Sequence, residues 1–196
     1  MTIYQIGAMI ILLLFYGSFF IKMLLQSRTG IKTNQLARGN KPLRTYRIEV
    51  IMRTATFMTA AVQLGSVMLA NQWLVLSDDR IRYFGALLAL LGVLVFVVAM
   101  ATMRNSWRAG INTKEKTEIV TGGIYRFSRN PAFVGFDLFY IGSALLVCNI
   151  LNVVFAVFSI IMLHLQILEE ENYLPTIFGT KYLEYKKKTA RYFLFF

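Results

Sequence analysis

The chain has 196 residues, of which 57% are hydrophobic and 16% are charged, and its formal net charge is +11. A soluble domain is about 45–50% apolar and about 25% charged. This composition therefore excludes an ordinary soluble globule, and its hydrophobicity excludes a disordered chain. With one cysteine and one histidine, the chain cannot form an internal disulfide, and we expect no metal site.

Apolar segments predict an all-α integral membrane protein with about five membrane-spanning helices. A hydrocarbon core of about 30 Å needs about 20 apolar residues in a helix. Three segments meet this length, residues 3–25, 51–76 and 81–103. We therefore assign residues 1–103 to a three-helix membrane region.

A fourth apolar region, residues 132–168, is too long for one span and about right for two. Its most polar part, residues 148–152, contains two asparagines and predicts a tight turn. We therefore expect a short helical hairpin formed by residues 132–148 and 151–169. Polar, motif-like stretches flank this hairpin, and we assign any catalysis to the region 104–196.

The basic residues predict the orientation in the membrane. When the five spans are threaded through a bilayer, all 21 Lys and Arg residues except Arg80 and Arg82 fall on one side. Because cytoplasmic loops carry an excess of Lys and Arg, this side is predicted to be cytoplasmic. The N-terminus is then outside and the C-terminus inside. The high pI thus reflects membrane topology, and we expect no nucleic-acid partner.

A first polar stretch precedes the hairpin. Gly123, the second of two consecutive glycines, allows a turn with positive φ. Asn130 and Pro131 are typical of an N-cap and a first helical residue, and a helix N-terminus favours an anionic ligand group. Arg126 and Arg129 add positive charge. The alternative is an ordinary loop with two arginines that reach the membrane surface.

A second polar stretch begins with His164 and continues at the three consecutive glutamates that start with Glu169. His164, Leu168 and Glu171 share one face of a helix, whereas Glu170 does not. A histidine in an apolar span needs a partner, and a single helix–helix hydrogen bond is one explanation. The glutamates either pair with nearby basic residues or form an acidic pocket for a cationic ligand.

Two separated motifs carry a family resemblance. The first is Gly-x-Tyr-Arg-x-x-Arg-x-Pro-x-x-x-Gly, and the second is Glu-Glu-x-x-Leu-x-x-x-Phe-Gly-x-x-Tyr-x-x-Tyr. Their residues here are Gly123, Tyr125, Arg126, Arg129, Pro131 and Gly135, then Glu170, Glu171, Leu174, Phe178, Gly179, Tyr182 and Tyr185. With Arg191 near the end, this pattern resembles the isoprenylcysteine carboxyl methyltransferase family, which is related to the membrane phospholipid methyltransferases.

The resemblance implies S-adenosylmethionine as cofactor and a lipophilic substrate that enters from the bilayer to a site on the cytoplasmic side. It also implies that Arg191, Glu170 and Glu171 are catalytic candidates. The residues that it places at the cofactor are Val120, Gly123, Tyr125, Arg129, Asn130, Phe133, Gly135, His164, Glu170 and Glu171. The family often has His and Tyr where this chain has Asn130 and Phe133, and phenylalanine cannot donate a hydrogen bond.

The resemblance leaves the methyl acceptor open. A carboxylate acceptor is already ionised and needs a cation such as Arg191 to hold it. A phospholipid amine needs a base, for which Glu170 or Glu171 is the candidate. Two further alternatives are an NADPH-dependent membrane reductase and a non-enzymatic membrane module.

Overall fold

A computed structural model describes residues 2–69, 75, 78–110 and 118–193. Within these residues the chain forms six α-helices and two short 3-10 helices, Arg104–Ser106 and Gly123–Arg126. The α-helices are α1 (Ile3–Arg28), α2 (Leu43–Met68), α3 (Asp79–Met103), α4 (Pro131–Leu146), α5 (Ile150–Phe178) and α6 (Thr180–Lys188). The first three helices and α5 are long and apolar enough to cross a membrane, whereas α4 has 16 residues. The predicted all-α membrane fold is confirmed.

The predicted boundaries of two helices are wrong, and at the start of the second helix a polar side chain has a distant partner. The second helix begins at Leu43 rather than at residue 51, and its Thr45 hydroxyl donates to Glu169 Oε2 at 2.6 Å. The last long helix continues to Phe178 instead of ending at residue 169, so the predicted hairpin is not short. The second helix ends at Met68 rather than at residue 76, which lies outside the described residues.

The turn between α4 and α5 lies at residues 147–149, close to the predicted position. Asn149 occupies the N-cap of α5, and its side chain accepts a hydrogen bond from the backbone N–H of Asn152 at 2.9 Å. The Asn152 side-chain amide donates to the carbonyls of Ser143 and Val147 at 3.2 and 3.0 Å. The two asparagines that predicted the turn therefore also close it.

Glycines bring α3 and α4 into backbone contact. A Cβ atom added at Gly142 of α4 would lie 2.3 Å from the Ala89 nitrogen of α3, and one at Gly92 of α3 would lie 2.5 Å from the Phe139 nitrogen. The later residue of α4 contacts the earlier residue of α3, so the two helices are antiparallel. This packing places the start of α4 beside the end of α3.

Buried polar side chains connect the other spans. Tyr16 of α1 donates to Gln63 Oε1 of α2 at 2.6 Å, and Gln63 Nε2 donates to the Ser143 hydroxyl of α4 at 2.6 Å. Thr59 of α2 and Ser159 of α5 share a hydrogen bond of 2.7 Å. Because lipid tails cannot satisfy polar groups, these bonds favour one arrangement of the helices.

The α3–α4 contact can be tested at Gly142. We expect Gly142→Ala to destabilise the protein by about 1–3 kcal/mol, because the new methyl group would overlap the α3 backbone. Gly65→Ala is the matched control, since a Cβ at Gly65 meets no atom within 4 Å and alanine favours a helix. Thermal unfolding in detergent measures both variants. Equal melting temperatures for the two variants would contradict this packing.

Candidate active site

A cavity of about 280 Å³ lies where α3 and α5 end and where α2 and α4 begin. Its walls come from α1, α2, the segment after α3, the start of α4, the end of α5, and α6. Phe19, Met52 and Leu163 extend the apolar wall onto the membrane-spanning helices. One cavity therefore contacts both the polar motifs and the spans.

The chain after α5 closes one side of this cavity. Tyr182 and Tyr185 of α6 line it, and the Tyr185 hydroxyl donates to the Tyr125 carbonyl at 2.6 Å. The Arg129 backbone N–H donates to the Ala190 carbonyl at 2.8 Å. We call α6 and residues 189–193 the roof of the cavity. Backbone and hydroxyl hydrogen bonds thus attach the roof to the loop that precedes α4.

A buried charge cluster also links the roof to the loop that precedes α4. The Glu171 side chain of α5 is only 3% exposed, and it accepts hydrogen bonds from Arg129 at 2.7 Å and from Arg191 at 3.0 and 3.1 Å. Lys186 Nζ lies 3.3 Å from Glu171 Oε2. The hydrogen bonds to Glu171 raise the pKa of the Arg191 guanidinium. One carboxylate therefore faces three cations, and the cluster has an excess of positive charge.

Glu170 has a different environment from Glu171. It lines the cavity, and the neutral side-chain amide of Gln166 donates to its Oε1 at 2.9 Å. Trp107 also lines the cavity, and its Nε1 is buried without a hydrogen-bond partner among the described residues. A carboxylate and an indole N–H are thus available to a polar ligand.

Aromatic side chains form much of the cavity wall. Burial raises the pKa of Tyr182 to about 12 and raises the pKa values of Tyr125 and Tyr185 well above the usual range. These phenols are therefore neutral at physiological pH. Together with Phe133, they give the cavity uncharged aromatic faces, which suit a cation.

The structure brings six of the predicted site residues to the cavity wall. These six are Val120, Tyr125, Arg129, Asn130, Phe133 and Glu170. Five others lie outside the wall, namely Gly123, Gly135, His164, Glu171 and Arg191. Asn130 has the predicted N-cap position with Pro131 next, but its amide donates to the Arg191 carbonyl at 3.1 Å. It therefore supports the roof.

Gly123 and Gly135, which the resemblance places at the cofactor, have packing roles. Gly123 has the expected positive φ of 59°, and a Cβ there would lie 2.9 Å from Thr102 Cγ2. A Cβ at Gly135 would lie 2.7 Å from the Phe96 nitrogen of α3. Both positions hold the site-bearing segments close to α3.

His164 binds the roof from the face of α5 that it shares with Glu171. Its Nδ1 lies 2.5 Å from the Tyr192 hydroxyl, and Glu171 binds the adjacent Arg191. The predicted common face of His164 and Glu171 is thus confirmed, and it contacts the end of the chain.

Sequence reasoning missed Gln166 as a site residue. A signal existed, because Gln166 lies four residues before Glu170 and such pairs share a helix face. The roof tyrosines, Tyr182 and Tyr185, were recognised in the motif but were given no site role.

Comparison with known proteins identifies the class. Residues 81–181 match the model of the phospholipid methyltransferase family, and this match covers just over half of the chain. The chain therefore belongs to the phospholipid methyltransferase family.

Curated relatives agree with the resemblance to isoprenylcysteine carboxyl methyltransferases. The chain is 36% identical over 109 residues to the protein-S-isoprenylcysteine O-methyltransferase of Saccharomyces cerevisiae, covering 54% of this chain and 46% of the yeast protein. It is 33% identical over 110 residues to protein-S-isoprenylcysteine O-methyltransferase A of Arabidopsis thaliana, covering 55% and 56%. The matches thus span about half the length of these relatives.

A solved structure supports the fold. It is that of the eukaryotic intramembrane Ras methyltransferase ICMT, with a TM-score of 0.64 and 19% sequence identity. The superposition covers 94% of this chain and 63% of that chain.

The charge cluster predicts the behaviour of Glu171→Gln. The amide cannot neutralise three cations. Both side chains of the Arg129–Glu171 pair are buried, and breaking such a pair by removing one partner costs about 3–5 kcal/mol. We expect faster hydrogen exchange at the amides of Arg129 and Thr189, measured by mass spectrometry of the purified protein. Glu184→Gln, at an exposed position of α6, is the control. Wild-type exchange rates in Glu171→Gln would show that the cluster does not hold the roof.

Proposed function

We propose that this chain is an S-adenosylmethionine-dependent membrane methyltransferase that methylates the carboxylate of an isoprenylated cysteine. The observation that carries the proposal is Glu170 within an aromatic cavity that also reaches the spans. Family membership and the names of the relatives support methyl transfer over the reductase and non-enzymatic alternatives.

The cavity fits the proposed cofactor chemically. S-adenosylmethionine supplies a methyl group bonded to a sulfonium, and it carries an ammonium and a carboxylate. The Glu170 carboxylate suits the ammonium, and the neutral faces of Tyr125 and Phe133 suit the sulfonium. Arg129 suits the carboxylate. The indole N–H of Trp107, which has no partner among the described residues, is available to a further acceptor.

Alignment and exclusion of water are the main requirements of methyl transfer. In this proposal the roof excludes water, and the charge cluster orients the acceptor. A carboxylate acceptor needs no base, and the cations around Glu171 exceed its single charge. Arg191 lies outside the cavity wall, where it pairs with Glu171, and it is the residue that we propose holds the acceptor carboxylate from that side.

The apolar part of the cavity suits a lipophilic acceptor. Phe19 of α1 and Met52 of α2 belong to helices that can cross a membrane, so an isoprenoid chain can remain in apolar surroundings there. The distribution of basic residues supports a cytoplasmic position for the site, with the N-terminus outside.

An amine acceptor is the second candidate. It is favoured by the pairing of Glu170 with a neutral amide, because such a carboxylate can accept a proton from an amine. In that case the enzyme would methylate a phospholipid amine, and Glu170 would act as the base.

The cofactor proposal predicts binding of S-adenosylhomocysteine, measured by isothermal titration calorimetry. We expect Glu170→Gln to weaken this binding about ten- to a hundredfold, since a hydrogen bond to a charged group contributes about 1.5–3 kcal/mol. Glu184→Gln should bind like wild type. Equal affinity in Glu170→Gln and wild type would remove Glu170 from the cofactor site.

The acceptor proposal predicts the kinetics of Arg191 variants with a farnesylated cysteine analogue. We expect Arg191→Ala to lower kcat by about tenfold or more while the affinity for S-adenosylhomocysteine changes less. Arg191→Lys should restore only part of kcat, because lysine lacks the two-donor fork.

The same assay separates the two acceptors. Full methylation by Arg191→Ala would contradict the carboxylate assignment. Methylation of a phospholipid amine that survives in Arg191→Ala but is lost in Glu170→Gln with cofactor still bound would establish the amine alternative.

A further inference from the structure

A buried ion pair lies in the loop between α1 and α2 and the first turns of α2. Lys41 Nζ is 2.6 Å from Glu49 Oε2, and the two side chains are 1% and 0% exposed. Nothing in the proposed methyl transfer uses this pair. Removing two charges from water is costly, and a buried pair often contributes no more stability than an apolar pair of similar volume.

Each member of the pair also binds the loop backbone. Lys41 Nζ donates to the Gln35 carbonyl at 2.8 Å, and the Ala37 backbone N–H donates to Glu49 Oε2 at 2.7 Å. Ala37 has a φ of 54°, a left-handed conformation that is unfavourable for alanine. The pair therefore holds the backbone on both sides of Leu36 in a conformation that the loop alone does not favour.

Leu36 is part of the cavity wall. It lines the cavity with Ala109 and Gly110, and the Gln35 backbone N–H donates to the Ala109 carbonyl at 2.8 Å. A Cβ at Gly110 would lie 2.8 Å from Leu36 Cδ2, so the two segments are in close contact. Fixing residues 35 and 37 thus fixes one side of the cavity.

We propose that Lys41 and Glu49 are positioning residues for the cofactor, because their ion pair holds Leu36 in the wall of the cavity. This inference rests on the proposed function. It assigns a role to a loop that neither sequence motif includes. Neither residue lines the cavity, and both bind the backbone beside Leu36.

The test separates positioning from stability. In Lys41→Met/Glu49→Leu, an apolar pair fills similar volume without unpaired charge, so we expect a melting temperature close to that of wild type. Its affinity for S-adenosylhomocysteine should nevertheless fall at least tenfold, because neither new side chain can bind the backbone of residues 35 and 37. The charge-swapped variant Lys41→Glu/Glu49→Lys should not restore affinity, since its donor and acceptor are exchanged.

Arg44→Met is the matched control. It also removes a positive charge near the start of α2, but the Arg44 side chain is 75% exposed and pairs with Glu169. We expect it to bind S-adenosylhomocysteine with wild-type affinity. Tight binding by Lys41→Met/Glu49→Leu would overturn the inference. Absence of binding by wild type would instead overturn the proposed function.

Hydrogen exchange on the wild-type protein tests the inference even where a variant does not fold. The amides of Gln35 and Ala37 are bonded to Ala109 and Glu49. We expect S-adenosylhomocysteine to slow their exchange several-fold. The amides in the first turns of α3, which begins at Asp79, should be unchanged. Exchange at Gln35 and Ala37 that does not respond to a bound ligand would contradict the positioning role.

Discussion

The buried carboxylate of Glu171 joins the segments that enclose the cavity. Glu171 belongs to α5, Arg129 to the loop before α4, and Lys186 and Arg191 to the roof. A carboxylate that is 3% exposed is stable as a charge only while cations surround it. The cations in turn need it to offset their mutual repulsion. The three segments therefore form one unit.

The spans and the region around the cavity are held in place by two different kinds of interaction. In the spans, glycine contacts and hydroxyl or amide hydrogen bonds set the helix positions, as at Gly142 and Gln63. Near the cavity, buried charges position irregular backbone, as Glu171 and Glu49 do. This division follows from the environment, because irregular backbone has no internal ladder of hydrogen bonds and needs side-chain partners.

Local features of the site were predictable from the sequence. The helix start at Pro131, the positive φ of Gly123 and the common face of His164 and Glu171 depend only on neighbouring residues. The long apolar runs likewise predicted the spans. Each of these features is set by chain geometry or composition.

Features that depend on distant partners were not predictable. The start of α2 at Leu43 depends on contacts such as that between Thr45 and Glu169, which are 124 residues apart. The spacing of Gly135 in its motif is the same whether it contacts a cofactor or Phe96. Leu36 joins the cavity wall beside Ala109 and Gly110, which are distant from it in the sequence. One sequence cannot reveal such pairings.

The buried polar residues of α2, which include Thr59 and Gln63, have a consequence for the order of assembly in the membrane. This helix is the least apolar of the four long spans, and Thr59 finds its partner Ser159 only 100 residues further along the chain. During synthesis α2 therefore enters the bilayer before α5 exists. Until then α1 supplies the partners for α2, as Tyr16 donates to Gln63 and Gln5 donates to the Val67 carbonyl. Pairing of α1 with α2 at that stage would give a weakly apolar segment hydrogen-bond partners before α5 is made.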